Sequence, residues 1–196
     1  MRIQTQAESF AYRVASEPQK LYRGVRVNLP PELEDEMREK LADPRTREEA
    51  GRELDLGPKI LHHLATTPWE TSIGSALHDR TGVGPHWHDD PGFAHTAAYG
   101  DLDEAQQGQL KKRSWPLLMV ADHPGPEHVV PSYGGDSIEN ETQLRQGTPL
   151  NITSLLLQPE LDFSSGKRGV KGRELLHNPM YERYGIHPGG PVQVTA

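Results

Sequence analysis

Residues 114–123, SWPLLMVADH, hold an apolar run with no helical period, and such a run reads as a core strand around which the rest of the chain must be arranged. Two other stretches support a sheet. LYRGVRVNL at 21–29 alternates apolar and polar residues, and PLNITSLLL at 149–157 is rich in apolar and β-branched residues. Nineteen glycines and 17 prolines among 196 residues punctuate the chain too often for a helical bundle. With 34% hydrophobic residues and a mean hydropathy of −0.72, a loop-rich protein with a modest core is expected.

Helical signals lie between the strands. PPELEDEMREKLAD at 30–43 has prolines at a helix start, acids in the first turn, and Leu33, Met37 and Leu41 at helical spacing. GPKILHHLATT at 57–67 and ETSIGSALHDRTG at 70–82 each read as short helices, the second stopped by Gly82. PRTREEAGRELD at 44–55 reads as an exposed helix or loop. VGPHWHDDPGFAHTAAYG at 83–100 suggests a short strand, an Asp-Pro helix start and a helix through Phe93, Ala94 and Ala97. HPGPEHVVPSYGGDS at 123–137 is turn-rich. Then ENETQL at 139–144 and PLNITSLLL read as the two arms of a hairpin around a Gly-Thr turn. The tail adds a basic patch, GKRGVKGR at 166–173, read as a solvated loop, a short helix, and a final strand in PVQVTA. Without a regular βαβ alternation or an internal repeat, the pattern favours a single α+β domain over 1–196.

Composition narrows the function. A net charge of −7 argues against broad binding to nucleic acid or acidic membranes. The absence of cysteine excludes disulfides and thiolate metal sites. The first 16 residues lack an apolar export segment and no apolar run reaches membrane-spanning length. The expectation is a protein with no membrane partner, cytoplasmic or delivered without a signal peptide of its own.

Four groups carry candidate chemistry. Arg23 sits beside Gly24 on the first strand, where a guanidinium can reach a phosphate or carboxylate and the glycine lets a ligand approach the backbone. Arg26 is the alternative arginine. In HWH, His86 and His88 can share a strand face, but spacing implies no third ligand, so no metal is expected. Trp87 between them reads equally well as core. Glu139 and Glu141 are two apart, so on a strand they face one way, and such like-charged pairs are seldom kept for stability alone. No G-x-S-x-G elbow, P-loop or G-x-G-x-x-G follows a strand. A two-carboxylate glycosidase stays open, with Glu139 and Glu141 flanking a sugar, although same-face neighbours rarely straddle a bond as that chemistry requires.

Taken in order, LYRG, then GPHWHDDPGFA, then ENETQLRQGT resemble the ADP-ribosyltransferase superfamily in its Arg–Ser–Glu, toxin-like branch. In that branch an aromatic-Arg-Gly lies on the first strand and a middle strand precedes an Asp-Pro helix start. A Glu-x-Glu then precedes a Gly-Thr turn six residues after the second acid. Here Gly147 lies six after Glu141, with Leu144 between. The resemblance covers roughly 20–160; residues 161–196 remain unassigned.

The resemblance implies a fold of split, mixed β-sheets with flanking helices, NAD as substrate, and transfer of ADP-ribose to an unknown protein acceptor, arginine being favoured. By the same resemblance Glu141 is the catalytic acid and Glu139 serves the acceptor. Arg23, with Tyr22 and Gly24, meets the NAD phosphates. Trp87 packs near the nicotinamide or braces its strand, and Tyr133 recognises the substrate. The family's middle hydroxyl is replaced by His88, followed by Asp89, with Thr71 and Ser72 as competing positions. That departure keeps open a rival: a silent NAD-binding or protein-binding module on the same scaffold.

Overall fold

The computed structural model describes residues 19–42, 56–67, 82–99, 115–131, 141–164, 169–176 and 191–194. Their elements, in order, are β1 (Lys20–Val27), α1 (Pro31–Ala42), α2 (Leu56–Thr66), β2 (His86–His88), α3 (Pro91–Tyr99), β3 (Trp115–Asp122), a 3₁₀ turn (Pro126–His128), β4 (Glu141–Gln143), β5 (Pro149–Asp162), β6 (Gly169–Glu174) and β7 (Pro191–Gln193). The strands form one seven-stranded sheet in the order β4-β2-β1-β3-β5-β6, with β7 also paired to β5. The α+β class is therefore observed. Every pairing among the described strands is antiparallel, which corrects the expectation of mixed sheets.

The sheet is covered on both faces, as its apolar strands require. On one face Leu21, Val25 and Val27 of β1 join Leu117, Met119 and Ala121 of β3 and Leu155 and Leu157 of β5. Met37 of α1 and Leu56, Ile60, Leu61 and Leu64 of α2 close over them, and Trp87 of β2 is buried in the same cluster. On the other face Leu118, Val120 and Leu156 meet Ala94 of α3, with Tyr22 packed alongside. The long apolar run of β3 thus has both of its faces in the core, which is why it lacks polar alternation.

α3 starts where Asp90 accepts a hydrogen bond from the Gly92 backbone N–H at 2.6 Å, the capping role that an Asp ahead of a helix performs. Farther along α3, burial lowers the His95 pKa against the opposing pull of the Pro159 carbonyl and Glu160. Burial also pushes Tyr99 up to about 12, with Glu160 adding to it, so both side chains are uncharged at neutral pH. Their rings lie 4.9 Å apart.

Two local expectations fail. Glu141–Gln143 and Pro149–Asp162 are not a hairpin: β4 pairs with β2, and β2, β1 and β3 lie between it and β5. The intervening turn, with Gly147 at φ 76°, hands the chain to β7, because Gly147 N–H donates to the Val194 carbonyl and Val194 N–H to that of Thr148. Pro149, Leu150 and Asn151 then pair with β7 instead of with β4. The basic patch is likewise no loop from residue 169 onward, since β6 pairs with β5 there. The expected elements at 44–55, 70–81 and 177–190 lie outside the described residues, as do Thr71 and Ser72.

Candidate active site

The sheet order brings three distant stretches together. β1 carries Tyr22, Arg23 and Gly24; β2 lies beside it with Tyr22 opposite His88; β4 lies beside β2 with His88 opposite Glu141 and His86 opposite Gln143. Tyr22, His88 and Glu141 therefore form one row across three strands on the face that carries α3. Arg23 and Trp87, one step along their strands, belong to the opposite face. The residues expected to line one cleft are divided between two faces of the sheet.

Glu141 stands at the end of this row, on the last strand of the order. Its side chain and that of His86 keep 33% and 32% of their surface, enough for a ligand to touch both. Glu141 Oε1 is bonded to His86 Nδ1. A carboxylate only accepts, so Nδ1 carries the proton in this bond. The imidazole on Glu141 is thus His86, two residues before the histidine expected at the middle position. His88 is nearly buried, and its ring stacks with Phe93 of α3 at 6.0 Å between centroids. HWH on a strand already places His86 and His88 on one face, so the signal for His86 was present in the sequence. What sequence alone left open was the diagonal reach of Glu141 across the pair.

Within this row, burial raises the Tyr22 pKa and the Asp90 carboxylate adds to it. The phenol stays protonated at neutral pH and can donate to a ligand.

Gly24 has a different reason from the one expected. A Cβ there would stand 1.8 Å from the Ala94 carbonyl oxygen and 2.5 Å from the Ala98 nitrogen. The space reserved for a ligand is filled by the backbone of α3, which crosses β1 at this point. Arg23 is 4% exposed. Its Nε donates to the Gly82 carbonyl at 3.2 Å and its Nη1 to the His86 carbonyl at 2.7 Å, tying β1 to the start of β2 from the core side. Arg26 is buried as well, with Nε donating to the Ala98 carbonyl at 3.2 Å near the C-terminal end of α3. Trp87 is fully buried and its indole N–H donates to the Gly84 carbonyl at 2.9 Å, a strand-bracing position. Glu139 and Tyr133 lie outside the described residues.

A stability effect follows from Arg23. Arg23→Ala removes the donors from two carbonyls in the interior, and each group left unmet costs about 1–3 kcal/mol. The variant should melt well below wild type in a calorimetric scan; an unchanged melting temperature would show that the two contacts carry no weight.

Among the described residues no group of three or more His, Asp or Glu is placed to hold a metal ion. Among those residues, too, no helix is long and apolar enough to cross a membrane. Comparison with family models, curated proteins and solved structures finds no match.

Proposed function

We propose that this chain is an NAD-dependent mono-ADP-ribosyltransferase that releases nicotinamide and passes ADP-ribose to a protein side chain, arginine being the favoured acceptor. One observation carries the reading: Glu141 stands partly exposed on the strand at the end of the sheet order, bonded to His86, adjacent to the HWH strand and one removed from the arginine strand. Three motif pieces far apart in sequence lie on adjacent strands, with Tyr22, His88 and Glu141 in one row and Arg23 and Trp87 on the opposite face.

The chemistry suits a carboxylate so placed. When the C1′–N bond of NAD breaks, its electron pair leaves with nicotinamide and the ribose gains oxocarbenium character. An ionised Glu141 accepts a hydrogen bond from the ribose 2′-hydroxyl and opposes the developing positive charge. An acceptor nitrogen then bonds to C1′ and gives up its proton to a base. By resemblance that base is Glu139. The Tyr22 hydroxyl, a protonated donor in the same row, is available to a ribose or phosphate oxygen.

The rival is a silent binding module. Two observations favour it: the guanidinium of Arg23 is turned into the interior onto carbonyls, and α3 occupies the space beside Gly24. Titration with NAD in a calorimeter, with nicotinamide release followed in parallel, separates the two. The transferase reading expects saturable binding and turnover; binding without turnover selects an NAD-binding module, and neither one sinks the transferase and leaves a protein-binding module.

Division of labour between the acids gives a second test. Glu139→Gln should retain NAD hydrolysis while losing most transfer to an arginine acceptor, because the upstream acid serves the incoming nucleophile. Equal loss of both activities would remove that assignment.

A further inference from the structure

β2 and β4 are three residues each, and β4 lies at the end of the strand order. So short an edge pairing opens readily, and a half-exposed carboxylate on it samples several rotamers. His86 counters this from both of its ends. Its carbonyl accepts from Arg23 Nη1 at 2.7 Å, and its ring holds Glu141 Oε1 through Nδ1. Arg23 is in turn anchored through Nε to the Gly82 carbonyl, in the segment that leads into β2. A chain of contacts therefore runs from the buried centre of β1, through the backbone and ring of His86, to the partly exposed carboxylate of Glu141.

We propose that Arg23 and His86 form a positioning brace for Glu141, with Arg23 fixing His86 from inside the core and the His86 ring fixing the carboxylate. The proposal rests on the ADP-ribosyltransferase reading of the site. It puts His86, and not the His88 expected at the middle position, on the carboxylate. It also moves Arg23 from the phosphates of the ligand to the support of the catalytic strand. His88, stacked on Phe93, is left to join α3 to β2.

The test uses the full chain and four proteins besides wild type: His86→Ala, His86→Asn, Arg23→Lys, and the double variant Arg23→Lys with His86→Ala. Nicotinamide release is measured at saturating NAD, NAD affinity by calorimetry, and folding by melting temperature. His86→Ala should lower kcat about 10-fold to 10²-fold, the scale of a misplaced catalytic group, with affinity for NAD within about twofold of wild type. His86→Asn, whose side-chain N–H stands where Nδ1–H stood, should recover most of kcat. Arg23→Lys should lower kcat, and the double variant should be no slower than His86→Ala, because residues acting in one chain are not additive.

Wild-type kcat in His86→Ala overturns the brace. So does a His86→Asn variant as slow as His86→Ala, or losses that multiply in the double variant. If Arg23→Lys unfolds, the two His86 variants decide the matter. A wild type that turns over no NAD overturns the functional reading and the brace with it. An active wild type with an unaffected His86→Ala overturns the brace alone.

Discussion

Glu141→Gln should fold and bind NAD like wild type and release nicotinamide about 10²–10³ times more slowly, the usual cost of losing one preorganised electrostatic group. Glutamine keeps the size of the side chain and one acceptor oxygen. That oxygen can still receive the His86 Nδ1–H, so the contact that ties β4 to β2 survives the change. What disappears is the negative charge facing the ribose as the C1′–N bond breaks. Ground-state binding of NAD gains little from that charge, so the loss should appear in kcat and leave Kd nearly untouched. Measurement at saturating NAD, with melting temperature as the folding control, isolates the chemical step. Wild-type turnover in a well-folded Glu141→Gln protein would falsify the transferase reading of ENETQLRQGT.

Gly24→Ala should be the most damaging single methyl group in the described structure. The added Cβ would lie 1.8 Å from the Ala94 carbonyl oxygen and within 3 Å of two further backbone atoms, of Ala98 and Ala94. No side chain can swing away to relieve this, because every atom in the way is backbone of α3. The helix must lift from β1, and it carries Phe93, which stacks on His88. Overpacking of this kind costs about 3 kcal/mol, the upper part of its usual range. In a chain of this size that lowers the melting temperature by roughly 6–12 °C. Activity should fall with it, since Tyr22 packs beside the displaced helix and His88 stacks on its Phe93, and both stand in the row that ends at Glu141. A variant as stable as wild type would mean that α3 does not seat on Gly24.

Several elements could be read from residues because local patterns encode them. β3 announced itself through an uninterrupted apolar run, which only a strand buried on both faces needs. α1 and α3 were legible from proline and acid at their starts, because those residues satisfy or complement the unpaired N–H groups of a first turn. The spacing of HWH marked one short strand with two histidines on one face, and Glu141 opens a second. All of these depend on neighbours within a few positions, so sequence by itself determines them.

Strand partners were not legible in the same way. A strand pairs through backbone N–H and C=O groups that every residue but proline offers, so ENETQL carries no mark that distinguishes β2 from β5 as its neighbour. Only the assembled sheet, with β7 on the first residues of β5, excluded the hairpin. The same holds for the guanidinium of Arg23 and for Gly24. Residue type says that one can bind an anion and that the other admits a close approach. The crossing of α3 over β1 and the carbonyls of Gly82 and His86 decided what each one meets. Sequence by itself determined that an arginine, a histidine pair and a carboxylate stand on strands; that the strands share one sheet came from the tertiary structure. Tertiary structure decided that the arginine faces inward and that His86 holds Glu141, because these contacts join residues from 55 to 63 positions apart, whose meeting is set by packing and not by local preference.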